Sequence, residues 1–273
     1  MIIDSLTHIL PKEVSSYIEK YKNIDKKFDS IFDKDSKIIN CEELIESMKN
    51  YKIDKSIVGG FGWTDHGLAN IVNDYILDSA QKNHNLIPLC SFDINSKKSE
   101  EELIKCISRG VKGIGELHLE YDESFEKNST WKEIMRIALD ADIPILIHGS
   151  EPVGHIYKGK GKNDPVKLYE LVKNNPKNKF VFSHFGGGLV FYEQMPEVKK
   201  LLRNVYYDSS AQPYLYGKEI YRNAINLSSI EKILFASDYP LIKMERCLSE
   251  TEYLNSKEKD HIFGHNAITA YNL

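Results

Sequence analysis

Histidine, glutamate and aspartate recur at one kind of position in this chain, directly after a short apolar run. His8 follows Ile-Ile-Asp-Ser-Leu-Thr, Glu116 and His118 close Lys112–Leu117, and His148 ends a run that starts at Pro144. His184 follows Phe180–Ser183, and Asp238 ends Ile-Leu-Phe-Ala-Ser. Imidazole nitrogens and carboxylate oxygens are the donors that zinc and similar divalent ions accept in sites that keep a position open for water. Water bound there loses a proton near neutral pH and becomes a nucleophile, or the ion polarises a substrate oxygen. An aspartate touching both ion and water can take up that proton. Each residue alone is weak, because a single histidine after a strand is more often a satisfied polar group than a ligand. Asp238 is costlier to explain away, since a carboxylate buried at an apolar strand tip needs a cation or a metal beside it. His184 lies in Phe-Ser-His-Phe-Gly-Gly-Gly, where glycines let backbone approach a ligand closely. The remaining histidines (His66, His84, His155, His261 and His265) fall in loops or helical stretches.

The elements that must position these groups read as strands at Ile2–Asp4, Lys55–Gly59, Leu86–Ser91, Lys112–Leu117, Pro144–His148, Lys179–Ser183, Val205–Asp208 and Ile233–Ser237. Apolar residues at three- and four-residue spacing predict helices over Glu42–Tyr51, Ile71–Asn83, Trp131–Ala141, Val166–Asn174 and Gly217–Asn226. Strands alternating with long crossovers imply parallel neighbours. Eight such units in 273 residues fit one closed (β/α)8 TIM barrel of α/β class, a single domain over 1–273. In that architecture the carboxyl ends of the strands share one face, so His8, Glu116, His118, His148, His184 and Asp238 are expected to converge. Residues 21–40 break the pattern with dense Lys and Asp around Phe28, Ile31 and Phe32. They form an elaborated first loop, a candidate lid, although charge runs are usually just a solvated excursion.

Composition narrows the function classes. Hydrophobic residues make up 41% and charged residues 28%, with a formal net charge of -4, which argues against a nucleic-acid or anionic-membrane surface. No apolar run approaches a membrane span, and no signal peptide is visible. The four cysteines form no C-x-x-C pair, so a reduced, cytoplasmic setting is the economical expectation. A homodimer is expected only from how common two-fold assemblies are.

Taken in order, the motifs resemble the amidohydrolase superfamily, in the group that includes aminocarboxymuconate semialdehyde decarboxylase and its hydrolase relatives. Ile-Ile-Asp-Ser-Leu-Thr-His looks like the family's opening Asp-x-His-x-His, and Gly113-Ile114-Gly115-Glu116 like its fourth-strand Gly-x-Gly-Glu. Ile147-His148, His184-Phe185-Gly186-Gly187 and Ala236-Ser237-Asp238-Tyr239-Pro240 resemble the fifth-, sixth- and last-strand motifs, and Ile262–Ala267 the closing helix. The resemblance implies His8, His148 and Asp238 around a zinc or another divalent ion, Glu116 or water completing the shell, and His184 orienting water or substrate. One position departs: Leu6 stands where the family's first strand usually has a histidine. Leu6 and His8 point the same way along a strand, so the site loses a donor, His118 substitutes for it, or metal binding weakens.

For substrate contact, Trp63 after strand two, Glu116, and Tyr214 after strand seven (with Gln212 and Tyr216) are the candidates, and Lys158, Lys160 and Lys162 could attract an anion. The leading expectation is a metal-dependent hydrolase of a small lactone, amide or ester. Water attacks, Asp238 shuttles the proton and His184 steadies the oxyanion. The alternative is a metal-dependent non-oxidative decarboxylase, a lyase of the same family, and a further one a ligand-binding barrel without turnover.

Overall fold

The computed structural model describes all 273 residues. Eight strands follow one another along the chain: β1 (Ile3–Thr7), β2 (Lys55–Val58), β3 (Leu86–Pro88), β4 (Ile114–Leu117), β5 (Ile145–Ile147), β6 (Phe180–Phe182), β7 (Val205–Asp208) and β8 (Ile233–Leu234). β1 to β3 form one parallel ladder and β4 to β8 another. Isolated parallel bridges, Cys90 with Ile114 and Thr7 with Tyr239, join the two ladders into a ring. Backbone bonds reinforce both seams: Gly115 N–H donates to Cys90 O and His8 N–H to Tyr239 O, each at 2.8 Å. The fold is the expected eight-stranded barrel.

Strand ends differ from the sequence reading where the ladder stops before the apolar run does. Ile233–Ser237 continues past β8, but Phe235 N–H turns to Ile262 O and Asp238 N–H reaches Leu6 O across the seam. Between the strands lie helices with readable starts. α1 (Lys12–Ser16), α2 (Ile18–Ile24) and α3 (Lys26–Ile31) lie in the first loop. α4 (Cys41–Tyr51) opens on a capping box, Asn40 accepting from Glu43 N–H while the Glu43 side chain accepts from Asn40 N–H. α5 (His66–Lys82) starts five residues before the predicted Ile71, because Asp65 caps it through Leu68 N–H. α6 (Ser99–Ser108) completes the crossover from β3 to β4, α7 (Ser129–Asp140) is capped by Asn128, and α8 (Pro165–Asn174) places its proline where no N–H is needed.

Alternation along the strands splits the apolar residues into two layers. One layer lies between strands and helices. The other fills the barrel, where Leu6, Ile57, Leu146, Val181 and Leu234 meet Ala267, Ala270 and Tyr271 of the closing helix Asn266–Tyr271. Apolar packing therefore occupies the interior away from the polar mouth. Leu6 is fully buried there, which is worth about 2 kcal/mol of transfer free energy.

The first loop is more than a wet excursion. Tyr21, Phe28, Phe32 and Ile39 are buried, and the Phe28 and Phe32 rings meet tilted at 4.6 Å. Asp25 ties the loop down, accepting from Phe28 N–H and Asp65 N–H at 2.7 Å each. Phe32 and Ile39 of this loop line the cavity at the barrel mouth.

Candidate active site

The strand-end groups converge at the mouth on a cavity of about 950 Å³. Its floor holds His8, Glu116, His118, His148, His184 and Asp238, and its walls include Phe32, Phe61, Tyr157, Tyr214 and Leu241. Glu116 is the hub. Its Oε1 accepts from Ser183 Oγ at 2.5 Å and lies 3.1 Å from His148 Nδ1 and 3.9 Å from His184 Nε2. Its Oε2 lies 3.1 Å from His118 Nε2 and 3.9 Å from His8 Nε2. Asp238 Oδ1 stands 3.2 Å from His8 Nε2, close enough for charge attraction but without hydrogen-bond alignment, so that nitrogen has no hydrogen-bond partner.

Three of the histidines share one arrangement. His8 Nδ1 is 2.9 Å from Gly59 O, His148 Nε2 is 2.9 Å from Lys160 O, and His184 Nδ1 is 2.7 Å from Ser210 O. A carbonyl oxygen can only accept, so these nitrogens carry protons, and each bond turns the opposite nitrogen of the ring toward the floor. Holding the far nitrogen in this way is how proteins orient metal-binding imidazoles.

Backbone strain marks the same residues. His184 and Asp238 sit at φ of 57° and 62°, in the left-handed region that costs a residue other than glycine about 1 kcal/mol or more. His184 is further fixed from behind. Its N–H donates to Asp208 Oδ1, which also accepts from Ser210 N–H at 2.9 Å.

Electrostatics follow from burial and proximity. Burial raises the Glu116 pKa, but His118 and His148 overcome it and hold the carboxyl well below the usual range. His118 is pushed down to about 3, by burial first and then by His148. The pair is therefore a carboxylate facing a neutral imidazole. For His8, burial lowers the pKa, yet Asp238 and then Glu116 raise it further than burial depresses it. His184 is likewise raised, by Asp238, Glu116 and Asp208 against its own burial. Burial pushes Asp208 up to about 7.

The structure corrects several expected substrate contacts. Trp63 does not line the cavity: it is fully buried, 5.4 Å from the Phe61 ring and 5.8 Å from that of Phe28, and Phe61 takes the wall position instead. The glycines before it carry the chain inward, so Trp63 packs beneath the surface it was expected to form. Gln212 is buried, with its amide spent on Tyr216 O, whereas Tyr214 lines the cavity. Lys160 Nζ is held by the carbonyls of Val153 and His155, and Lys162 pairs with Glu120 outside the cavity. Lys158 donates to Phe32 O, joining the loop after β5 to the lid. Leu6 points into the apolar barrel interior and offers nothing to the floor. Missed from the sequence were Ser183 and Phe61, since neither residue type signals a role until the strands are set side by side.

A family model described as Amidohydrolase matches residues 48–273. The chain belongs to the amidohydrolase family. β1 and the lid precede the matched stretch. No curated protein matches the chain. Among solved structures, 5-carboxyvanillate decarboxylase from Novosphingobium aromaticivorans, with manganese and 3-methoxy-4-hydroxy-5-nitrobenzoic acid bound, aligns at a TM-score of 0.79 and 16% identity. The alignment covers 100% of this chain and 97% of that one. A dihydroxybenzoic acid decarboxylase from Polaromonas sp. JS666, with manganese and 2-nitroresorcinol, aligns at 0.72 and 14% identity over 100% and 97% of the two chains. A probable 2-pyrone-4,6-dicarboxylic acid hydrolase from Acinetobacter baumannii, with citric acid, aligns at 0.67 and 14% over 100% and 99%. At these identities the likeness is one of fold. No helix is long and apolar enough to cross a membrane, and all four cysteines are free and buried.

Proposed function

We propose that this amidohydrolase-family member is a divalent-metal-dependent, non-oxidative decarboxylase of a small hydroxylated aromatic acid. The observation that carries the reading is the floor of fixed imidazoles and carboxylates beneath aromatic walls. The donor set fits a divalent ion, and His8 Nε2, buried without a hydrogen-bond partner, is the atom that most needs one. His8, His148, Glu116 and Asp238 would hold it. When bound, such an ion polarises a phenolic or carboxylate oxygen and fixes the ring's orientation. The mixed nitrogen and oxygen donors suit manganese as well as the zinc expected from the sequence, and two decarboxylases of the same fold carry manganese.

Phe61 and Tyr214 flank the cavity and suit a flat ring. Asp238 takes the phenolic proton and returns it to the ring carbon that bears the carboxylate. A ring π pair forms the new C–H bond, the C–C bond then breaks, its pair restores the aromatic ring, and CO2 leaves. His184, held by Ser210 O, steadies the substrate through Nε2. Phe32 and the rest of the lid keep water from the ring.

This places the lyase ahead of the hydrolase first expected. The hydrolase is supported by the fold it shares with the probable 2-pyrone-4,6-dicarboxylic acid hydrolase. Purified protein supplied with manganese or zinc should release CO2 from hydroxybenzoates and leave lactones and esters intact. Lactone or ester hydrolysis without any CO2 release would reverse the order.

A further inference from the structure

Leu6 leaves the first strand one donor short, and β4 supplies a spare. Glu116 and His118 stand two residues apart, and both end at the cavity floor. One donor atom each from Glu116, His118 and His148 fall within 4.8 Å of one another, and all three residues are buried. His118 Nε2 lies 3.1 Å from Glu116 Oε2, the same oxygen that His8 Nε2 faces at 3.9 Å. The His118 ring is fixed by stacking on His148 at 3.9 Å and by an edge contact with Phe61 at 5.6 Å. Leu6, by contrast, is packed among Ile57, Leu146 and Leu234.

We propose that His118 is a metal donor in this chain, making up on β4 for the donor that Leu6 removes from β1. The proposal rests on the metal dependence argued above. It predicts a centre with three imidazoles, from His8, His118 and His148, where the first-strand departure alone would leave two. If His118 instead only buttresses Glu116 through their hydrogen bond, the metal shell does not need it.

The test is metal binding itself, read without turnover. Wild-type protein and His118→Gln are titrated with manganese and zinc against a competing chelator. Circular dichroism reports whether each is folded. His118→Gln should bind metal roughly 10- to 100-fold more weakly. X-ray absorption at the zinc edge should count three imidazoles in the wild type, a measurement that needs no variant. Wild-type affinity in folded His118→Gln, or two imidazoles in the wild type, overturns the role of His118 and leaves the decarboxylase reading standing. A wild-type protein that binds no metal overturns that reading as well.

Discussion

Gly161 offers the sharpest check on the placement of His148. It adopts φ of +71°, and a β-carbon there would lie 3.0 Å from His148 Cδ2 and 2.9 Å from Ser150 Oγ. Neither neighbour can yield freely, because His148 Nε2 bonds Lys160 O at 2.9 Å and Ser150 Oγ donates to the same carbonyl at 2.6 Å. Gly154 serves as the control: its φ is +85°, and nothing lies within 4 Å of an added β-carbon. Alanine at either position pays about 1–2 kcal/mol for a left-handed backbone. Gly154→Ala should therefore lose about that much stability in urea unfolding and keep its metal affinity. Gly161→Ala should lose the same amount, plus about 1 kcal/mol for the crowded contacts. Tilting the imbued His148 ring off the floor should also weaken metal binding by roughly 10-fold or more. Chelator competition on the two variants side by side reads the difference. Equal metal affinity in both would refute the reasoning, since His148 would then tolerate displacement that a ligand cannot.

Asp238→Asn should cut CO2 release at least about 100-fold, the usual scale for losing a proton-transfer group. Asparagine accepts the left-handed backbone found at this position, so circular dichroism should be unchanged, and retained turnover would rule out Asp238 as the proton carrier. Asp25→Ala should destabilise the lid by about 1–2 kcal/mol, because it removes the cap of α3 and the tie to Asp65 N–H. Limited proteolysis should then cut within residues 21–40, and a wild-type digestion pattern would contradict that anchoring. Burial pushes Asp4 up to about 7, against hydrogen bonds from Ser237 that lower it. The folded chain thus holds this proton up to about pH 7 while the unfolded chain releases it near pH 4, so stability falls as pH rises across that window. Asp4→Asn should flatten the fall in urea-unfolding profiles, and an unaltered slope would mean that Asp4 titrates normally.

Much of the architecture was legible because it rests on local periodicity. Short β-branched runs alternate with helical stretches whose starts carry their own caps, such as Asn40 with Glu43 and Asp164 before Pro165. The positions of His8, Glu116, His148, His184 and Asp238 at strand ends were equally readable, since a parallel barrel sends every strand end to one mouth. Leu6 was legible as a departure for the same reason, through the two-residue alternation that it shares with His8.

What only the tertiary structure decided is how those strand ends meet. Which ring nitrogen faces the floor depends on carbonyls far away in sequence, as Gly59 is from His8. Glu116 became the hub because His148 arrives from the adjoining β5 and Ser183 from β6 beyond it. Phe61 took the wall position expected of Trp63, which packs on Phe28 while Phe61 meets Phe32, both residues of the first loop. Sequence fixes the order and facing of donors along each strand. Distances between strands, and with them the pKa values and the shape of the cavity, arise only when the ring closes.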